Sequence, residues 1–224
     1  MVVFSMPLMG MLLAASVSPA VDFAVYRGFS FGGSVEASAK IAGAKMANVR
    51  TLHERPARIE EFDWESGAYS QVDAVRFGSV RDGLLRFYNG QLFQIVVTYD
   101  RQRTEGMTAN DMIESISATY GAATRPTAEI PLKSIYGEVA RVLARWEDPN
   151  YSYDLVRTGD QTSFALIMRS KKLDALATAA IDAAEKLDIK EAPGRADALQ
   201  RKLDDESRLA LEKARAANKS SFRP

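Results

Sequence analysis

Leu84-Leu85-Arg86-Phe87-Tyr88-Asn89-Gly90-Gln91-Leu92-Phe93-Gln94-Ile95-Val96-Val97-Thr98-Tyr99 is the stretch that decides the fold class of this chain. Two runs rich in β-branched and aromatic residues flank Asn89-Gly90. Both central residues of a type I′ turn need positive φ, which Asn and Gly adopt most readily, so the stretch predicts an antiparallel hairpin. Regular alternation about a two-residue turn puts Leu84, Arg86 and Tyr88 on one face with Gln91, Phe93, Ile95, Val97 and Tyr99. Leu85, Phe87, Leu92, Gln94, Val96 and Thr98 take the other face. Both faces are substantially apolar, whereas a sheet with one side in water alternates more cleanly. Something is therefore expected to cover the second face at least partly; the alanine-rich segment 171–188 is the economical candidate, and a second protomer or a ligand is the other.

Downstream of the hairpin, Thr108 is a good helix N-cap with Asp111 at the N3 position. Met112, Ile113, Ile116 and Tyr120 follow at helical spacing, and Gly121 is a natural stop. Val139–Trp146 then alternates as a strand, with Arg141, Leu143 and Arg145 on one side and Val142, Ala144 and Trp146 on the other. Pro149-Asn150 turns the chain into a second strand, 151–157, and Thr158-Gly159-Asp160-Gln161 into a third, 163–169. Upstream, Gly32-Gly33-Ser34 opens a short helix with Val35, Ala39 and Ala42 that ends at Gly43. A strand over 58–65 and the hairpin follow it. Both tryptophans occupy the matching place, Asp63-Trp64-Glu65 in one half and Arg145-Trp146-Glu147 in the other. The pattern reads as two degenerate α-β-β-β units in tandem. Six antiparallel strands with two helices packed on them make an α+β domain over residues 21–170.

Two tandem units, each with a glycine-introduced helix ahead of antiparallel strands, resemble the fold shared by the β-lactamase inhibitor protein and the small outer-membrane assembly lipoproteins. Tyr26-Arg27-Gly28-Phe29-Ser30-Phe31-Gly32 together with Phe87–Phe93 also resembles exported bacterial proteins of unknown function. The likeness covers residues 24 to 170. The chain departs from the lipoproteins in having no cysteine to acylate, and from the inhibitor in having no disulfides. The resemblance implies a non-catalytic envelope or secreted protein, and it carries over no functional residue.

The termini differ in composition from the middle. Residues 1–20 carry no charge and end in Ser18-Pro19-Ala20, which reads as a signal-peptide-like leader cleaved before Val21 and thus predicts a periplasmic or secreted protein. No Lys or Arg precedes its apolar run, and Pro7 and several serines interrupt it, so a transmembrane anchor is not expected. Residues 171–224 read as C-terminal helices. The first has an apolar stripe at Leu173, Leu176, Ala177, Ala180, Ala184 and Leu187. Pro193-Gly194 is expected to break it from a second over 196–217, dense in charge, with Leu199, Leu203, Leu209 and Leu211. That stripe is too thin and irregular to announce a coiled coil. It reads as a solvated terminal helix, with a partner-binding helix as the alternative.

The chain has 224 residues, 29 basic and 29 acidic side chains, no cysteine and one histidine. Formal neutrality argues against a nucleic-acid partner, because neutralising phosphates takes a basic surface. Without cysteine there is no thiol catalysis, disulfide or cysteine metal site, and a single histidine excludes multi-histidine sites. His53 would have to serve any Ser-His-Asp triad, but no Gly-x-Ser-x-Gly elbow and no HExxH pattern accompany it. Glu60-Glu61-Phe62-Asp63-Trp64-Glu65 puts Glu61, Asp63 and Glu65 on one strand face, a pattern that suits the solvated side of a strand, the paired carboxylates of a glycoside hydrolase or oxygen ligands for calcium, although the EF-hand loop pattern is absent. No catalytic, cofactor or metal residue is assigned. Arginine and tyrosine are enriched at interfaces, and the expected binding surface is Arg86, Tyr88, Tyr99, Arg141 and Arg145. The expectation for function is an exported, non-enzymatic protein that binds another protein or itself. The alternatives are a secreted carboxylate-dependent hydrolase and a structural subunit of a larger assembly.

Overall fold

Asn89 and Gly90 both take positive φ, 48° and 77°, in the computed structural model, so the hairpin turn forms as its dipeptide dictates. The structure describes residues 21–65, 78–125, 131–133, 139–157, 163–221 and 223. The leader 1–20 lies outside the described residues. In chain order the elements are β1 (Val25–Tyr26), β2 (Phe29–Ser30), α1 (Val35–Ala42), a 3-10 turn at Met46–Asn48, β3 (Arg50–His53), β4 (Ile59–Glu65), β5 (Val80–Tyr88) and β6 (Gln91–Tyr99). There follow α2 (Ala109–Tyr120), β7 (Pro131–Lys133), β8 (Val139–Glu147), β9 (Tyr151–Arg157), β10 (Phe164–Ser170) and α3 (Lys171–Ser221).

β3 to β10 form one antiparallel eight-stranded sheet in the order β3-β4-β5-β6-β10-β9-β8-β7. The tandem reading holds, with one more strand per unit than its α-β-β-β pattern predicts. Each helix is followed by a four-stranded meander, and the two meanders meet at their last strands, β6 and β10. The matching of the tryptophans extends to register. Trp64 on β4 lies opposite Gly83 on β5, and Trp146 on β8 lies opposite Tyr153 on β9.

Local chemistry sets the helix ends. The Ser34 hydroxyl accepts from the Ala37 amide at 3.2 Å, and Gly43 closes α1 at φ 66°. At α2, Asp111 N–H donates to the Thr108 hydroxyl at 3.2 Å while the Asp111 carboxylate accepts from the Thr108 amide at 2.7 Å. This is a capping box with Asp in place of the usual Glu or Gln. Val35 and Ala39 from α1 and Met112, Ile113 and Ile116 from α2 then pack on one sheet face with Phe62, Trp64, Leu85, Phe87, Leu155 and Leu166.

Two bulges correct the predicted faces. Phe87 pairs with Leu92 but Arg86 pairs with Gln94, so Phe93 is an extra residue and the alternation slips by one. Ile95, Val97 and Tyr99 therefore join the core with Leu85, and Tyr99 does not share a face with Arg86 and Tyr88. A second slip at Leu143 turns Val142 away from Ala144 and Trp146, into a cluster with Val156, Ala165 and Ile167 on the opposite face.

The predicted break at Pro193-Gly194 is also corrected. α3 runs unbroken from Lys171 to Ser221 with Pro193 inside it. Proline removes one backbone donor from the helix. Beside it, the Arg195 guanidinium donates to the Asp188 carbonyl and carboxylate, both at 3.0 Å, and so ties the turns on either side together.

Candidate functional site

β10 passes directly into α3, which folds back over the second sheet face. Ala177, Ala180 and Ala184 are buried there, and Ala177 and Ala180 pack with Ala57, Ile59 and Phe93, flanked by Tyr88, Leu173 and Ile181. Small side chains allow the helix backbone to approach the strands closely. The alanine-rich segment thus covers this part of the second face, as its composition suggests.

Beside that contact, strand register lines up Arg50, Glu61, Arg86, Gln94, Arg169 and Ser152 across six strands. Arg50 contacts Glu61 at 2.9 Å and Asp63 at 2.8 Å, and Arg86 contacts Glu61 at 3.2 Å. One row along, fully buried Asp154 accepts from Arg145 at 2.6 Å and from Arg169 at 2.8 Å. The bond to Asp154 raises the Arg145 pKa further. Asp174 of α3 comes down on this row, 3.9 Å from Arg169. Desolvation pushes its carboxyl above the usual carboxylate range, against the opposing pull of Arg169 and Arg86.

The expected binding residues are dispersed by this arrangement. Arg86 is mostly buried in the ion-paired row, and Tyr88 packs beside α3. Tyr99 is buried in the core on the opposite face, and Arg145 holds Asp154. The backbone of Arg141 belongs to β8, while its side chain lies outside the described residues. In the acidic run, Glu61 and Asp63 share a face and the guanidinium of Arg50. Glu60 is buried in the other direction and pairs with Arg58 at 2.7 Å, and the Glu65 side chain lies outside the described residues. His53 sits at the end of β3, with Nδ1 3.8 Å from the Asp188 carboxylate.

On the core face, Phe23, Tyr26, Tyr120 and Tyr153 form an aromatic cluster with ring centroids 5.0 to 6.5 Å apart. Burial pushes the Tyr26 hydroxyl up to about 12 and those of Tyr99, Tyr120 and Tyr153 above the ordinary tyrosine range. Within the cluster the Tyr153 hydroxyl donates to the Phe23 carbonyl at 3.0 Å and so ties the segment ahead of β1 to β9.

The segment whose sequence reads as a solvated terminal helix, or alternatively a partner-binding one, is the outer half of α3. Arg55 reaches Glu191 at 2.9 Å, and beyond that contact every residue from Ala192 to Asn218 is exposed. At 1.5 Å per residue this arm is about 40 Å long. It presents Leu199, Leu203, Leu209 and Leu211 at 59%, 47%, 53% and 71% exposure. Among the described residues no helix is long and apolar enough to cross a membrane, and no group of His, Cys, Asp or Glu could hold a metal ion. Comparison with family models, with curated proteins and with solved structures gives no match.

Proposed function

We propose that this chain is an exported, non-enzymatic protein of the bacterial envelope, periplasmic or secreted, that binds a protein through the outer half of α3. The observation that carries the reading is the division of one helix into two halves of opposite character. The inner half is fixed by buried alanines and by the ion pairs of Arg55 and Lys171. The outer half exposes four leucines along an arm that the body does not cover. Contiguous exposed apolar surface marks interaction sites, and Leu199 and Leu203 lie one turn apart on the same face of the arm. Formal neutrality of the chain favours a protein partner over a nucleic acid.

The test is the double variant Leu199→Glu/Leu203→Glu in the full chain. It is expected to abolish association, read by light scattering and by retention from envelope fractions, and to leave the urea midpoint of the body unchanged. Undiminished association of the variant overturns the assignment to the arm. Export is supported by the charge-free segment 1–20 with its small residues at Ser18 and Ala20. Intact mass of the natively expressed protein is expected to correspond to a chain starting at Val21, and a mature chain that keeps Met1 overturns export.

A further inference from the structure

Strand register seats Gln94 on β6 between Arg86 on β5 and Arg169 on β10, on the sheet face that α3 covers. Gln94 is 8% exposed, and its side-chain carbonyl Oε1 finds no hydrogen-bond partner among the described residues. A buried acceptor without a donor is destabilising, so its retention calls for a cause. Both flanking guanidinium groups are engaged elsewhere. Arg86 Nε donates to Glu61 at 3.2 Å and Arg169 Nη1 to Asp154 at 2.8 Å. Asp174, in the first turn of α3, lies 3.9 Å from Arg169 Nε and within the field of Arg86, which puts it over the residue between them. Its carboxylate has that loose ion pair and no hydrogen bond among the described residues. Two acceptors thus meet here without a donor. We propose that the Asp174 carboxyl takes up a proton and donates it to Gln94 Oε1, latching the start of α3 to β6 in acid and releasing that bond on ionisation.

The charges that bear on Asp174 come from three strands. Arg169 of β10 and Arg86 of β5 favour its ionised form, and Asp154 of β9 opposes it. The positive end of α3 also favours ionisation. Desolvation nevertheless raises the carboxyl above its ordinary range. Arg169 restrains it less than a full charge suggests, because the same guanidinium already serves Asp154. Gln94 adds what desolvation lacks, a partner that only the neutral form can use. A protonated carboxyl has one O–H to donate, whereas an ionised one is acceptor-only and meets Oε1 unfavourably. The inference concerns the docked half of α3 and holds whatever the outer half binds.

The test is carbon-13 NMR of the full chain, following Asp174 Cγ and Gln94 Cδ through the carboxylate range and up to neutral pH. Both carbons are expected to shift with one shared midpoint. Gln94→Leu should lower the Asp174 midpoint by roughly half a unit to one unit, because the neutral form loses its acceptor. Replacing a polar neighbour by an apolar one would by itself move the midpoint upward. A midpoint that stays or rises in Gln94→Leu, or a Gln94 Cδ that does not follow Asp174, overturns the bond. A rise is the result expected if the Gln94 amide instead donates to the ionised carboxylate. Hydrogen exchange reads the hold on the helix and keeps the proposal testable on the wild type should Gln94→Leu fail to fold. Protection of the amides over 175–181 is expected to increase about two- to tenfold as pH falls through the Asp174 midpoint. In Asp174→Asn, whose amide donates at every pH, that protection should not vary. Protection independent of pH in the wild type overturns the latch.

Discussion

The indole N–H of Trp146 on β8 donates to the carbonyl of Gly121 at 3.0 Å and to the Ser117 hydroxyl at 3.2 Å, so the sheet caps the last turn of α2. The helix end and the sheet core are therefore one cooperative contact. Trp146→Phe keeps most of the packing and removes the donor from a buried site. The expected cost is about 1–3 kcal/mol by urea denaturation, with the α2 amides exchanging before those of β9 and β10. Equal protection of α2 in the variant and the wild type would count against the bond.

The first unit solves the equivalent position differently. A Cβ on Gly83 would lie 2.7 Å from the ring of Trp64 and 3.3 Å from the Val96 carbonyl oxygen. Gly83 is thus required by close approach, not by its backbone angles. Gly83→Ala is expected to cost about 1–3 kcal/mol through overpacking, and Trp64→Phe in the same chain should recover part of it. Denaturation midpoints of the two single variants and the double variant decide this.

Asp154 compensates Arg145 and Arg169 from a fully buried position. Asp154→Asn removes the negative charge and leaves two guanidinium groups against the sheet. A loss of about 3–5 kcal/mol is expected, larger than for either Arg145→Gln or Arg169→Gln alone, because only the aspartate serves both partners. Calorimetry or chemical denaturation of the three variants tests the order.

Asp174 gives a pH signature. Its folded pKa is raised by burial above the unfolded value. Its favourable contribution is therefore complete below the ordinary carboxylate value and is lost as pH rises through the raised one. Asp174→Asn carries no ionisation and is expected to be more stable than the wild type at neutral pH, by less than about 1 kcal/mol given the partial exposure of the group. The difference should close as pH falls through the carboxylate range. A difference independent of pH would assign it to something other than ionisation.

What could be read from the sequence was local. Asn89-Gly90 specified its turn, Thr108 and Asp111 their cap, and Gly43 and Gly121 the ends of α1 and α2, because each is set by a few neighbouring residues. The outer strands β3 and β7 were missed because Arg50–His53 and Pro131–Lys133 are too short to show alternation. The bulges at Phe93 and Leu143 leave no residue signature either, and one extra residue was enough to move Tyr99 from the expected binding face into the core. Pro193 was read as a break because an interior proline costs a helix roughly 3 kcal/mol. Arg195, two residues on, bridges the turn back to Asp188, and that contact is visible only in three dimensions. The exposure of the arm follows from where the docked half ends, which no spacing in the sequence encodes.

The seam between the two meanders has a consequence for how the molecule comes into being. β6 pairs with β5 on one side, but its other edge is closed only by β10, so that edge at Thr98 waits for Ala165, 67 residues later. As the chain emerges from a ribosome or a translocation channel, the first unit completes its own meander and is left with a raw edge at its most apolar strand. Closure of the sheet is a late, non-local event. Until β10 arrives, that open margin is the part of the nascent molecule most in need of a chaperone and most ready to join a wrong neighbour.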